Sequence, residues 1–277
     1  MKGVKENHYY LKQLDLEKND FERVRQIIYD YSGINLHDGK QALVRARLMK
    51  RIRKLGLSNF KEYLDIVESN TIDGEFYSFV DVLTTNKTSF FREAQHYGYM
   101  RDEIIPNMKG RNVRWWSAGC SSGEEPVTMA ITLFEQFNSN KTPVKILATD
   151  LSRDMLLRAK KGVYNEEKMD GIPGFLRKRY FREQEAGLFK IHENIRKMIT
   201  YGRLNLKAEW PFKHLFHVIM CRNVMIYFDR ETQNRLVSRF YNQLELGGYL
   251  FLGHSESING KDIGFVNVRP AVYQKKV

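Results

Sequence analysis

The chain has 277 residues, of which 42% are hydrophobic, so it is long enough to form two domains with buried cores. No stretch of about 18 apolar residues occurs, and the first residues lack the apolar core of a signal peptide. We therefore expect a cytoplasmic protein that does not insert into membranes. The formal net charge of +12 indicates an anionic partner, which could be nucleic acid, a membrane surface or an acidic protein.

The first part of the chain has the periodicity of α-helices. Apolar residues at helical spacing predict helices over residues 19–33, 40–55, 60–68 and 75–83. A further helical pattern covers residues 93–108. We predict an all-helical domain over residues 1–90 and a connecting helical segment over residues 91–112.

The second predicted helix is strongly basic. Residues 40–54 include seven Lys or Arg residues and no acid, while Val44, Leu48 and Ile52 form an apolar stripe. Because like charges four residues apart repel each other, this composition favours an anionic partner over a solvated helix face. Phosphate backbone and an acidic helical protein surface both fit the charge, but the sequence lacks a known nucleic-acid-binding signature. We predict that the partner contacts Arg45, Arg47, Lys50, Arg51, Arg53 and Lys54.

From residue 113 onward, apolar strand patterns end at polar residues and alternate with helix patterns. Strands are predicted over residues 113–119, 144–150, 198–206 and 216–220. This alternation predicts βαβ units around a parallel sheet, whose strands end at one edge facing a ligand crevice. Glycines interrupt the pattern over residues 164–200 and predict a small inserted β element within an α/β domain that covers residues 113–277.

Five segments, in this order, carry a family resemblance: TTNKTSFFRE (84–93), WSAGCSSGEEP (116–126), ATDL (148–151), CRNVMIYFD (221–229) and GHSE (253–256). They resemble the CheR family, the chemotaxis receptor glutamate methyltransferases that use S-adenosylmethionine. The resemblance implies a Rossmann-like S-adenosylmethionine-dependent methyltransferase domain with a small β insertion, preceded by an all-helical substrate-recognition domain.

The same resemblance implies cofactor contacts at particular residues: Asn86, Thr88, Arg92, Glu125, Arg222 and Asn223. Asp150, at the end of the second strand, is suited to the ribose diol, and Asn205 with the Leu206 backbone is suited to the adenine edge. Structural alternatives stay open for two of them. Asp150 could cap a helix, and the segment from Ser122 to Glu125 matches a capping box.

We expect few catalytic groups because a glutamate carboxylate is already an anion at neutral pH. Arg92 can position an acidic substrate, and Tyr227 can orient it or line the transfer pocket. The absence of an Asn/Asp-Pro-Pro-aromatic motif after the fourth strand disfavours methylation of amines. The seven histidines show no metal-ligand spacing, so we expect no metal. Cys120 and Cys221 have no CxxC pattern, which favours reduced cytoplasmic thiols.

The sequence therefore predicts a monomeric enzyme that methylates glutamates on the cytoplasmic helical bundle of a chemoreceptor. Family members that bind a receptor's C-terminal pentapeptide carry a glycine-flanked loop in the β insertion. In this chain the corresponding segment, residues 180–190, is short and has a single glycine, Gly187. We therefore predict weak or no tethering through such a peptide. Two rival hypotheses are an RNA methyltransferase and a regulatory module that binds S-adenosylmethionine without catalysis.

Overall fold

The computed structural model describes residues 15–108, 110, 112–137, 144–258 and 263–276. The chain divides into two compact units, Met1–Thr85 and Asn86–Val277. None of the helices in the described ranges is long and apolar enough to span a membrane.

Over its described residues, 15–85, the first unit is built of helices, as predicted. Its helices are α1 (Lys18–Ser32), α2 (Gln41–Leu55), α3 (Phe60–Ser69) and α4 (Glu75–Leu83). Each helix buries an apolar stripe; in α2 the stripe is Val44, Leu48 and Ile52. Local signals fix the ends: Gly33 follows α1 in the left-handed conformation, and the Asn59 side chain accepts a hydrogen bond from Glu62 N at the start of α3.

A buried carboxylate organises the interior of this helical unit. Glu75 is 3% exposed and accepts hydrogen bonds from Tyr63 Oη at 2.8 Å and from the Arg51 guanidinium. A buried carboxylate is tolerated only when it is paired and hydrogen-bonded. Arg51 therefore serves the packing of the unit.

A helical segment of changing geometry precedes the sheet in the second unit. Helix α5 (Ala94–Tyr99) continues into a π-helical turn (Met100–Ile104) and a 3₁₀ turn (Ile105–Met108), where a single helix was predicted. Pro106 has no N–H to donate, and its ring conflicts with the carbonyl four residues earlier. The proline therefore accounts for the departure from regular α geometry.

The rest of the second unit is an α/β domain. Its strands and helices are β1 (Val113–Ala118), α6 (Glu124–Phe137), β2 (Val144–Asp150), α7 (Arg153–Lys161), β3 (Val163–Asn165), α8 (Glu166–Met169), α9 (Gly174–Tyr180), β4 (Phe181–Glu185), β5 (Leu188–Ile191), α10 (Glu193–Arg196), β6 (Ile199–Arg203), β7 (Phe216–Cys221), α11 (Arg230–Gln243), β8 (Leu244–Leu252), β9 (Phe265–Arg269) and β10 (Val272–Lys275).

Seven of these strands form the central sheet in the order β6-β2-β1-β7-β8-β10-β9. Strands β6, β2, β1, β7 and β8 run parallel to one another, and β10 is antiparallel to both of its neighbours. The predicted α/β fold is thus confirmed. Strands β2 and β6 are added on one side of β1, whereas β7 and β8 are added on the other side. Ligands of such sheets bind beside the point where the order reverses, at the carboxyl ends of the strands.

Successive side chains of β1 contribute to two apolar layers, one on each face of the sheet. Trp115 belongs to the apolar layer that includes Ile131 of α6, whereas Trp116 belongs to the other layer and contacts Phe240 of α11. Successive side chains of a strand point to opposite faces, so a strand buried on both sides has a continuous apolar sequence.

The predicted inserted element is also present. Strands β3, β5 and β4 form a separate antiparallel sheet in that order. The hairpin between β4 and β5 turns at Gly187, which has a φ of 78°.

Candidate cofactor and catalytic site

The loops after β1 and β7 meet where the sheet order reverses. Gly119 has a φ of 93°, and a Cβ atom placed there would lie 2.5 Å from Val224 Cγ2. Its N–H, like that of Cys120, donates to the carbonyl of Thr149 in β2. Glycine is therefore required by conformation and by the close approach of the two loops.

Strained backbone is concentrated around the same edge of the sheet. Phe91, Glu93, Ser121 and Asn223 all have φ values between 48° and 57°. Non-glycine residues in the left-handed region cost about 1–3 kcal/mol each and persist only where the surroundings over-determine them. Such strain favours a functional role for these loops.

Asp150 ends β2 with both carboxylate oxygens engaged by backbone N–H groups. Oδ2 accepts from Ser121 N at 2.7 Å, and Oδ1 accepts from Ser152 N at 2.8 Å. Ser152, and not Asp150, caps α7 through its hydroxyl. Asp150 thus joins the loops after β1 and β2 through its carboxylate.

Arg222 is the buried centre of the site, with only 6% of the residue exposed. Its guanidinium forms ion pairs with Glu93 at 3.2 Å and Glu125 at 3.4 Å. It also donates to Tyr97 Oη at 3.1 Å and to the Arg92 carbonyl. Arg222 thus joins the loop after β7 to the segment before α5 and to the start of α6.

Glu125 bonds to β1 rather than forming a capping box with Ser122. Its Oε1 accepts from Ser117 Oγ at 2.7 Å, and Ser122 bonds instead to Glu124. The capping-box alternative for Ser122 and Glu125 is therefore wrong, because Glu125 turns back over β1. Burial raises the pKa of Glu125 above its usual value, although the nearby Arg222 and the Ser117 hydroxyl oppose that effect.

Residues 86–93, which we call the cofactor loop, carry three of the predicted cofactor contacts. Ser121 Oγ donates to the Asn86 carbonyl at 3.0 Å, and Lys168 Nζ donates to the Thr88 carbonyl at 3.2 Å. Arg92 Nη1 donates to the Lys87 carbonyl at 3.0 Å, which uses one of the five N–H groups of its guanidinium. These backbone contacts hold the loop beside the Ser121 segment.

Asn205 and Leu206 lie just past β6, in a loop that Arg239 fixes. Asn205 Oδ1 accepts from Lys207 N at 3.0 Å. Arg239 of α11 donates to the Leu206 carbonyl at 2.6 Å and to the Ala208 carbonyl at 2.5 Å. The predicted adenine-binding residues thus occupy a loop anchored to a neighbouring helix.

The turn after β7 places Asn223 and Tyr227, and Glu256 holds it. The Glu256 carboxylate accepts from Asn223 N and Gly253 N, both at 2.7 Å, and from Ile226 N at 3.1 Å. Tyr227 is half-buried at the end of the 3₁₀ turn Met225–Tyr227. The Asn223 Oδ1 atom is buried and accepts no hydrogen bond from the described residues, so it is an unsatisfied acceptor.

Two histidines lie beside this network, although their sequence spacing does not indicate a metal site. Ligating atoms of Glu93, His96 and His254 lie within 4.8 Å of one another. Glu93 is paired with Arg222, and Gln95 Nε2 lies 3.1 Å from His254 Nε2. Burial and the neighbouring Arg222 lower the pKa of His96 to about 4, so its imidazole is neutral at physiological pH. The expectation of no metal stays a prediction.

Cys120 lies between these loops but is not poised as a nucleophile. It is 1% exposed, and burial together with the nearby Asp150 and Glu125 carboxylates raises its pKa above the usual value. A thiol reacts as the thiolate, so a raised pKa makes Cys120 inert at neutral pH.

The basic helix α2 shows only part of its charge to solvent. Arg47 donates to the Leu83 carbonyl at 2.8 Å, Arg51 pairs with Glu75, and Arg45 pairs with Asp15 at 3.3 Å. The exposed cations of the predicted set, which we call the basic ridge, are Lys50, Arg53 and Lys54.

The net positive charge of the chain does not come from the helical unit. Residues 15–85 carry 11 Lys or Arg against 12 Asp or Glu, whereas residues 86–277 carry 31 against 20. The basic ridge is thus a local feature of a nearly neutral unit.

Sequence reasoning assigned no role to several residues that build the site: Glu93, Tyr97, Ser117, Lys168, Arg239 and Glu256. Glu93 and Glu256 lie inside the motifs that carry the family resemblance, so a signal for them existed. Lys168 and Arg239 had none, because their partners lie 80 and 33 residues away in the chain.

Comparison with known proteins covers both units. Residues 86–273 match the family model described as CheR methyltransferase, SAM binding domain, and residues 19–84 match CheR methyltransferase, all-alpha domain. The chain is 38% identical over 273 residues to the chemotaxis protein methyltransferase of Borreliella burgdorferi, which covers 95% of this chain and 96% of that protein.

Two further relatives are similar over most of their length. The probable chemotaxis protein methyltransferase of Rhizobium etli is 41% identical over 244 residues, covering 85% of this chain and 91% of that protein. The chemotaxis protein methyltransferase of Escherichia coli is 36% identical over 266 residues, covering 95% and 92%.

Proposed function

Because the chain belongs to the CheR methyltransferase family, we propose that it methylates glutamate γ-carboxylates on the cytoplasmic helical bundle of a chemoreceptor, using S-adenosylmethionine. The observation that carries the proposal is the match of both units, in order, to the two domains of the family. The chain matches the chemotaxis protein methyltransferases named above over nearly their whole length. We further propose that the enzyme works as a monomer in the cytoplasm, without a metal.

The residues at the sheet edge suit the chemical groups of the cofactor. When bound, S-adenosylmethionine supplies an electrophilic methyl group on a sulfonium sulfur. Asp150 offers carboxylate oxygens to a ribose diol, and the loop at Asn205 and Leu206 offers polar atoms to an adenine edge. The unpartnered Asn223 Oδ1 is an acceptor for an N–H or ammonium group. Arg222 and Glu125 supply charges of both signs for an amino-acid tail.

The nucleophile in this proposal needs positioning and no activation. A glutamate side chain has a reference pKa of about 4.3, so it is ionised before it reaches the enzyme. Arg92 would hold one carboxylate oxygen by a charge-assisted hydrogen bond while the other faces the methyl group. Tyr227 would orient the carboxylate from the turn after β7. The rate enhancement would come mainly from alignment of the reacting atoms.

Receptor binding would use the basic ridge of α2. Lys50, Arg53 and Lys54 are exposed on one helix that is packed through its opposite stripe. An acidic helical surface complements such a ridge and increases the rate of encounter. Arg47 and Arg51 would contribute through the folding of the helical unit, because they bond inside it.

We also propose that the β insertion does not tether the enzyme to a receptor's C-terminal pentapeptide. The β4–β5 hairpin has a short turn with one glycine, Gly187. Calorimetry with a receptor pentapeptide should show no binding at micromolar concentrations. Saturable binding that a substitution in β4 removes would contradict this part of the proposal.

The function is tested by methyl transfer from labelled S-adenosylmethionine, with a receptor cytoplasmic fragment and bulk RNA offered in parallel. We expect label on the receptor that mild alkali releases as methanol, which identifies a carboxyl ester. Arg92→Ala should reduce the transfer rate at least tenfold, by analogy with other lost charge-assisted contacts of about 1.5–3 kcal/mol. Alkali-stable label on RNA, or cofactor binding with no labelled product, would refute the proposal.

A further inference from the structure

We propose that the inserted β element is a brace for the cofactor loop, and that Lys168 is the positioning residue that connects the two. The inference deepens the proposed function, because it rests on the assignment of residues 86–93 to the cofactor. It gives the insertion a role that does not depend on peptide tethering.

Lys168 makes the polar part of the brace. It lies on α8, within the insertion, and its Nζ donates to the Thr88 carbonyl at 3.2 Å while pairing with Glu124 Oε1 at 2.8 Å. Glu124 is fully buried at the start of α6, and its other oxygen accepts from Ser122 Oγ at 2.7 Å. One lysine therefore ties the insertion to the cofactor loop and to the helix that follows β1.

Phe90 makes the apolar part of the brace. Its side chain is buried, and its ring lies edge-on to Tyr164 of β3 at 4.8 Å and to Phe181 of β4 at 5.4 Å. Gly171 lies between α8 and α9, and a Cβ atom there would come within 2.6 Å of the Phe90 carbonyl oxygen. Glycine is required at this position because the insertion approaches the loop backbone too closely for a side chain.

The braced segment is one that needs support. Phe91 and Glu93 are both in the left-handed region, with φ values of 51° and 56°. Such conformations persist only when the surroundings hold them. On one side Phe91 N donates to Thr128 Oγ1 of α6 at 3.2 Å, and on the other side the insertion holds Thr88 and Phe90. A loop held in its binding conformation before the ligand arrives binds more tightly, because less ordering remains to be done.

The brace is tested with Lys168→Met, and with Lys178→Met as the matched control on an exposed lysine of the same insertion. Calorimetry with S-adenosylmethionine should show affinity reduced by about tenfold in Lys168→Met and unchanged in Lys178→Met. Hydrogen exchange of residues 86–93, measured without any ligand, should be faster only in Lys168→Met. Lys168→Arg, which keeps the charge and the donors, should restore most of the affinity.

A double variant separates positioning from stability. Lys168→Met leaves the buried Glu124 carboxylate without its cation, so it should also lower the melting temperature. Adding Glu124→Gln removes that charge and should recover the melting temperature, whereas the cofactor affinity should stay low because Thr88 is still unsupported. Gly171→Ala provides an independent variant without a charge change, and it should speed exchange of the same loop.

The inference is overturned if Lys168→Met leaves both affinity and loop exchange unchanged, or if the double variant recovers affinity together with stability. Either result would reduce Lys168 to a structural ion pair. If the wild-type protein bound no S-adenosylmethionine, the proposed function would fail, and the exchange measurement would still decide whether the insertion braces the loop.

Discussion

Replacing Glu256 with glutamine should loosen the turn that carries Asn223 and Tyr227. The Glu256 carboxylate is 7% exposed and accepts hydrogen bonds from three backbone N–H groups, at 2.7, 2.7 and 3.1 Å. These donors belong to the turn after β7 and to Gly253 after β8. The side chain thus fixes one loop to the next at the edge where the cofactor is proposed to bind.

The magnitude follows from the chemistry of the amide. The amide oxygen of glutamine can keep the bonds to Asn223 N and Gly253 N, but at the strength of a neutral acceptor. Its NH₂ group then faces Ile226 N, so two donors oppose each other and that N–H is left unsatisfied. With charge-assisted bonds contributing about 1.5–3 kcal/mol and an orphaned donor costing about 1–3 kcal/mol, we expect a loss of about 4 kcal/mol in unfolding free energy.

Denaturant unfolding of the full chain would measure the loss of stability, and calorimetry with S-adenosylmethionine would measure the cofactor affinity. A loss of about 4 kcal/mol corresponds to about 10 °C in melting temperature for a domain of this size. We also expect weaker cofactor binding, because Asn223 is displaced. Glu231→Gln is the matched control, since Glu231 is exposed at the start of α11. If Glu256→Gln had the same unfolding free energy and cofactor affinity as Glu231→Gln, the hydrogen bonds of Glu256 would not hold the turn and the reasoning would be refuted.

Three further predictions concern the ridge, a buried histidine and the central glycine. A variant with Lys50, Arg53 and Lys54 of the basic ridge all replaced by glutamate should slow receptor methylation about tenfold or more at low salt. Its affinity for the cofactor should stay unchanged. Burial lowers the pKa of His96 from 6.5 to about 4, so the unfolded chain binds a proton in that interval that the folded chain does not. Stability should therefore fall as pH falls from 6.5 towards 4, by up to about 3 kcal/mol, and His96→Gln should lose that part of the pH dependence in denaturant titrations. Gly119→Ala should cost about 2 kcal/mol or more and reduce cofactor binding, because its Cβ would meet Val224 at 2.5 Å in a left-handed conformation.

Each of these has an outcome that would count against it. A ridge variant that lost cofactor affinity would show that α2 is not a separate receptor-binding element. An unchanged pH dependence in His96→Gln, with His214→Gln as the exposed control, would mean that the imidazole titrates normally. Full stability of Gly119→Ala would show that the loops after β1 and β7 can separate without cost.

The sequence determined many individual elements and the placement of polar site residues at strand ends, whereas the order of the strands came from the tertiary structure. The α4 and β2 segments were predicted with their observed bounds, because apolar periodicity and punctuating glycines are local signals. Polar residues at successive strand ends, such as Asp150 and Asn223, were expected at one edge, and the parallel order β6-β2-β1-β7 brings them there. A parallel sheet leaves little choice in this, since all carboxyl ends share an edge.

Tertiary structure alone decided which partner each long polar side chain takes. Both Arg47 and Arg51 were predicted to contact the anionic partner, yet they bond to Leu83 and Glu75 inside the helical unit. Likewise, nothing local pairs Lys168 with Glu124, or Arg222 with Glu93. A long side chain reaches several positions from one backbone site, and burial makes each unpaired charge costly, so the choice among partners depends on packing between segments far apart in the chain.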